Sequence, residues 1–152
     1  MKIYTAASIS GLSGEDVFSY FKNVKSVLTG MGYQVFSPLT AKGYFRNELK
    51  FKAEGYAGYP MSTNHAIIER DCWMVSLCDV LYCNLSMANH VSIGSTMELA
   101  WGHILRKHTV LTMQEDNIHR HAFILEAADI VFTEHDEALS YLAHLVSPEG
   151  GF

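Results

Sequence analysis

Two carboxylates stand at positions that a folding argument alone would fill with apolar side chains. The first is Asp71. At helical spacing Ile67, Met74, Val75 and Cys78 form one apolar stripe, with Glu69 and Ser76 on the opposite side. Asp71 follows Ile67 by four residues and precedes Val75 by four, so it falls inside that stripe. An inward carboxylate is costly unless it is paired, hydrogen-bonded or protonated. If it keeps its proton it suits the role of acid; if it meets a Lys or Arg it is a strut. The pattern alone allows both. The second carboxylate is Glu98, at the edge of an apolar arc made by Met97, Ala100, Trp101, Ile104 and Leu105 and above Gly102. The bare Gly102 leaves room there for a ligand or another backbone. In a helix that starts at Ser95, Glu98 lies in the first turn, where the dipole favours its ionised form and suits it to be a nucleophile. Ser95-Thr96-Met97-Glu98 also matches a capping box, in which the glutamate only satisfies an orphan N–H.

Just upstream, Ser92-Ile93-Gly94-Ser95 puts hydroxyls and glycine at a helix start. Such a turn can cradle an anion through backbone N–H groups, or simply link strand to helix with Ser95 as cap. It is neither a P-loop nor a dinucleotide glycine motif. His119-x-His121 matches no common zinc spacing, and these histidines are expected at the surface or in a loop. Neither a nucleophile elbow nor a kinase signature occurs. Cys72, Cys78 and Cys83 sit in apolar surroundings and read as reduced, packed thiols of a cytoplasmic protein.

The elements that must position these residues alternate between short β-rich runs and helical patterns. Strands are expected at Lys2–Ala7, Tyr33–Ser37, Val80–Leu85, Thr109–Met113 and Ile130–Phe132. Helices are expected from Ser13, capped with Asp16, to Gly30 or Gly32, from Thr63-Asn64 to Cys78, from Ser95 to Arg106, near His119–Ala128, and over Asp136–Leu145. This alternation predicts an α/β, flavodoxin-like three-layer sandwich: one domain over residues 1–152, with a five-stranded parallel sheet in the order 2-1-3-4-5. Ligands of such sheets bind beyond the carboxyl ends of the strands. The connection from Pro38 to Thr63 is long and carries Tyr44, Phe45, Arg46, Lys50, Phe51, Lys52, Tyr56 and Tyr59. It reads either as a lid whose rings stack on a flat ligand, or as a flap over the core or a subunit contact.

The bulk numbers narrow the partners. Sixteen acidic residues against eleven basic ones, a net charge of −5, argue against a nucleic-acid polymer. No membrane span or apolar leader is visible, so no membrane partner is expected.

Four segments, in this order along the chain, resemble the nucleoside 2-deoxyribosyltransferases and the related nucleoside 5′-monophosphate N-glycosidases. They are Ile3-Tyr4-Thr5-Ala6-Ala7-Ser8, Glu69-Arg70-Asp71, Cys78-Asp79-Val80-Leu81-Tyr82-Cys83-Asn84-Leu85, and Ser92-Ile93-Gly94-Ser95-Thr96-Met97-Glu98-Leu99-Ala100-Trp101-Gly102. The resemblance implies that Glu98 attacks the anomeric carbon to give a covalent glycosyl–enzyme, that Asp71 protonates the departing base, and that Tyr4 orients Glu98. That is the division of labour of retaining glycosidases. It further implies that Ser8, Ser10 and Gly11, with Ser92, Gly94 and Ser95, hold the sugar's 5′ end. Transferases acting on free nucleosides commonly carry Asp where this chain has Ser92, and the serine tilts the expected substrate towards a 5′-monophosphate. Tyr44 and Phe45 would face the base. The segment Asp116-Asn117-Ile118-His119-Arg120-His121 would reach the site of a neighbouring subunit in a homo-oligomer, with Arg120 or a histidine meeting phosphate, and no cofactor or metal is needed. The competing readings are a nucleotide sensor on the same scaffold without catalysis and an FMN carrier.

Overall fold

The first strand, β1 (Lys2–Ala7), runs between β2 (Gln34–Phe36) and β3 (Val80–Asn84), and β4 (His108–Thr112) and β5 (Ile130–Phe132) extend the sheet beyond β3. This is a computed structural model, and it describes residues 1–40, 42, 55 and 58–147. Every strand pairing is parallel, and the sheet order is the expected 2-1-3-4-5. Residues alternate across the sheet as a pleated strand requires. Tyr4, Ala6, Leu81, Cys83 and Leu111 pack towards α2 (Asn64–Leu77), α3 (Ile93–Ile104) and α4 (Ala122–Ala127). Ile3, Val80, Tyr82 and Val110 pack on the other side, against α1 (Gly14–Gly30) and α5 (His135–Val146). The order reverses at β1, whose neighbours are β2 on one side and β3 on the other, so the loops leaving β1 and β3 emerge next to each other. No described helix is long and apolar enough to cross a membrane.

The helix starts follow local chemistry. Ser13 caps α1: its Oγ accepts from the Asp16 N–H at 3.1 Å and donates to the Asp16 carboxylate at 2.6 Å. Thr63 caps α2 by accepting from the Ala66 N–H.

Helix α3 departs from expectation in three ways. Its cap is Ser92, whose hydroxyl accepts from the Ser95 N–H, so Glu98 lies in the second turn and outside any capping box. Its buried face is Ser95, Glu98, Leu99 and Gly102, whereas Ala100, Ile104 and Leu105 of the expected arc are exposed and Met97 and Trp101 half-buried. Gly102 leaves room for the sheet and not for a ligand: a Cβ there would stand 2.6 Å from Leu81 Cδ2 and 3.0 Å from Thr109 Oγ1. The missing side chain is what lets α3 lie close on β3 and β4. Helix α4 is also shorter than expected, beginning after His121, whose ring accepts from the Phe123 N–H.

Candidate active site

Where α2 and α3 pack on β1, one cluster gathers both singled-out acids. Tyr4, fully buried on β1, donates its hydroxyl to Glu98 Oε1 at 2.6 Å. Glu98 and Asp71 are each only 6% exposed. Asp71 takes the inward place on α2 that its spacing predicted, beside the buried Met74 and Val75.

Two cations complete the cluster. Arg70 Nε lies 3.4 Å from Asp71 Oδ1, close enough for attraction but off the line of a hydrogen bond, and Arg70 Nη1 donates to the Met61 carbonyl at 3.0 Å. Arg70 Nε, Arg70 Nη2 and Asp71 Oδ1 therefore have no hydrogen-bond partner among the described residues. Buried polar atoms are rarely left so, and their desolvation is costly, which makes this corner ready for a polar ligand. The second cation is Lys42, 6% exposed, in the turn that follows β2, where its N–H donates to the Leu39 carbonyl at 3.0 Å. Its charge acts on both Asp71 and Glu98. Nothing in the sequence flagged Lys42: a turn has no periodicity against which an inward lysine stands out.

The electrostatics revise one expectation. Burial, reinforced by the negative charge of Asp71, pushes the Glu98 carboxyl up to about 8, and the Tyr4 hydrogen bond and Lys42 only partly oppose this. Glu98 thus keeps its proton at neutral pH in the free protein, where a first-turn dipole was expected to ionise it. With the helix starting at Ser92, that dipole help falls away. Asp71 is also raised, by burial, with Lys42 and Arg70 pulling the other way. Lys42 is itself lowered by burial.

The remaining expected site residues divide. Ser8 is buried where the chain leaves β1; Ser10 and Gly11 are half-buried, Gly11 at φ 86°. Ser92 and Ser95 are buried at the start of α3, with Ser92 Oγ donating to Ser95 Oγ at 3.0 Å, and Gly94 is exposed with open space where a side chain would be. Asn117 turns into its own chain: Nδ2 donates to the Leu85 carbonyl at 2.9 Å and Oδ1 accepts from the His119 N–H at 3.0 Å. Arg120 pairs with Glu115 at 2.7 Å. His119, expected at the surface or in a loop, is in a loop but only 4% exposed, with Nε2 2.7 Å from the Ser92 nitrogen. Tyr44 and Phe45, like Arg46, Lys50, Phe51, Lys52 and Tyr56, lie outside the described residues.

Known proteins bear on this geometry through their folds. No protein-family model matches the chain, and no curated protein matches it in sequence. Among solved structures, the chain aligns with a 2-deoxyribosyltransferase of Bacillus psychrosaccharolyticus at 20% identity and a TM-score of 0.66, over 93% of this chain and 92% of that one. It shares that enzyme's fold. A CMP N-glycosidase of Clostridium botulinum, BcmB, aligns over 93% of this chain and 98% of its own length, at 15% identity and a TM-score of 0.58. Both likenesses are of fold.

Proposed function

We propose that this chain cleaves the N-glycosidic bond of a nucleoside or nucleotide through a covalent intermediate on Glu98. The observation that carries the reading is the buried trio Tyr4–Glu98–Asp71, two carboxyls from separate helices sharing one low-dielectric corner. A Glu98 oxygen bonds to the anomeric carbon as the carbon–nitrogen bond breaks, and Asp71 delivers a proton to the departing base. Water or a second base then displaces Glu98, giving hydrolysis or sugar transfer. Glu98 must lose its proton before it attacks, and Asp71 must hold one to give. Passage of the proton from Glu98 to Asp71 meets both needs and removes the negative charge that raises Glu98, with the Tyr4 hydrogen bond and the Lys42 charge favouring the loss. The shared fold of a 2-deoxyribosyltransferase and a CMP N-glycosidase supports the same class of bond. Ser92 in place of an acid favours a 5′-monophosphate, since a carboxylate there would repel phosphate. The protein works as one cytoplasmic domain in a homo-oligomer whose neighbours complete each site. In support, the neighbouring helices α2, α3 and α4 each leave a large apolar side chain exposed: Trp73 (58%), Ile104 (74%) and Phe123 (80%).

The test is chromatography of nucleosides and 5′-monophosphates with the protein, with and without an added acceptor base. Free base alone marks a hydrolase, and a new nucleoside marks a transferase. The raised Glu98 favours one competing reading, a nucleotide sensor without chemistry, because a protonated carboxyl is a poor nucleophile. That reading requires ligand-induced thermal stabilisation with no base released from any compound.

A further inference from the structure

His119 lies outside the carboxylate cluster, yet its hydrogen bonds fix the residue that opens α3. The donors and acceptors along this path assign themselves. The Ser92 N–H can only donate, so His119 Nε2, 2.7 Å away, must carry a bare lone pair. The ring proton then sits on Nδ1 and is donated to Asn117 Oδ1 at 3.1 Å. Asn117 is anchored in turn by its Nδ2 donating to the Leu85 carbonyl. Ser92 is held from its other side as well, its carbonyl accepting from Thr96 N at 3.1 Å and Thr96 Oγ1 at 2.9 Å. One neutral imidazole thereby links two loops at the carboxyl edge of the sheet: the β3–α3 connection, held at its Ser92 end and, through Asn117, at Leu85, and the loop after β4.

We propose that His119, as its Nδ1–H tautomer, is a positioning residue that sets the backbone of Ser92 for the substrate's 5′ end and lets it go when the ring takes a second proton. This rests on the function proposed above for its catalytic consequence, though not for its structural one. A doubly protonated ring would point N–H at N–H across the same short gap, and the contact cannot survive. Burial holds His119 below its ordinary 6.5, and among the described residues the titratable group acting on it is His90, whose charge pushes the same way. A lowered histidine keeps its contact above the unfolded value and loses it as pH falls through the lower folded value. The change therefore falls on the acid side of 6.5.

The experiment has two arms. In the ligand-free protein, long-range nitrogen–proton NMR of the ring should give Nδ1–H at neutral pH, with the Ser92 amide shifting as the ring titrates below 6.5. An Nε2–H tautomer, or a Ser92 amide indifferent to that titration, overturns the proposal whether or not the protein releases base. In the second arm, KM for the active substrate should rise on acidification with kcat less affected, and His119→Ala should raise KM roughly tenfold at neutral pH, as expected for an unmade bond to a buried amide. His119→Gln offers an untitratable acceptor at similar reach. It should recover most of that loss and flatten the acid limb of the KM profile. An acid limb identical in wild type and His119→Gln overturns the proposal. Base release failing in every variant, with the NMR result as expected, overturns only the proposed function.

Discussion

Two buried tyrosines on the paired strands β1 and β3, Tyr4 and Tyr82, show how differently the two faces use polar groups. Tyr82 meets Thr112 Oγ1 at 3.2 Å and His135 Nδ1 at 2.6 Å, while Asn84 approaches the same ring nitrogen at 3.3 Å and accepts from the Ser86 N–H. The groups in this cluster are neutral, since burial also keeps His135 low, and each but the nearby Ser86 Oγ has a partner among the described residues. Tyr4, on the opposite face, meets a carboxyl that lies near another carboxyl and two cations, with atoms on Arg70 and Asp71 left without a hydrogen-bond partner among the described residues. A polar cluster kept for stability closes on itself. One kept for chemistry leaves charges and donors incompletely matched, at a cost in stability, until a ligand arrives.

The sharpest way to break this contrast is Glu98→Gln. Base release should fall by about a thousandfold or more, as for loss of a nucleophile. The folded protein should not suffer, because Gln resembles the protonated form that Glu98 already adopts. The pH sign follows. With Glu98 at about 8 folded and 4.5 unfolded, the unfolded state binds fewer protons between those values, so this residue erodes stability as pH rises through that window. Thermal melts should find Glu98→Gln gaining on wild type from 4.5 to about 8 and holding its lead above that. A parallel pair of curves would mean that Glu98 is not protonated in the folded state. Next in size, Asp71→Asn should lower kcat by about 10²–10⁴-fold for ordinary bases, the usual worth of a general acid, and much less for a base that leaves without a proton. Equal losses on both substrates would make Asp71 a strut. Tyr4→Phe removes a bond that lowers the Glu98 carboxyl, so the rising limb of the kcat profile should move to higher pH. On stability alone, Gly102→Ala should cost about 1–3 kcal/mol in urea unfolding, because its Cβ meets Leu81. Smallest of all, Tyr82→Phe should cost about 1 kcal/mol and leave base release within a factor of two, since its partners are neutral and off the site.

How much of this was legible in the sequence depended on whether a residue left a periodic trace. The strands of the sheet, the Ser13 cap and the inward Asp71 all did, because alternation, capping chemistry and helical spacing are local. Helix α3 was misread by three residues since Ser92 and Ser95 both offer a hydroxyl before a helical run. Its burial was misread because hydrophobicity was taken to mean inside. The buried face instead mixes small and large residues, Ser95, Glu98, Leu99 and Gly102, with close approach to the sheet at Gly102, while Ile104 and Leu105 face outward. Lys42 and His119 sit in turns where no period exists, and only the fold brings them to the cluster and to Ser92.

The Tyr4–Glu98 bond joins residues 94 positions apart, from the first strand to the third helix. A ribosome that has made only β1, α1 and β2 has made neither Asp71 nor Glu98. Because long-range contacts form late in folding, the reactive corner is assembled only once β3 and α3 have docked on the opening strand. A chain halted before that point lacks the Tyr4–Glu98 pair, and a glutamate that titrates near 4.5 in the loose chain acquires its alkaline value in the same step that seats it.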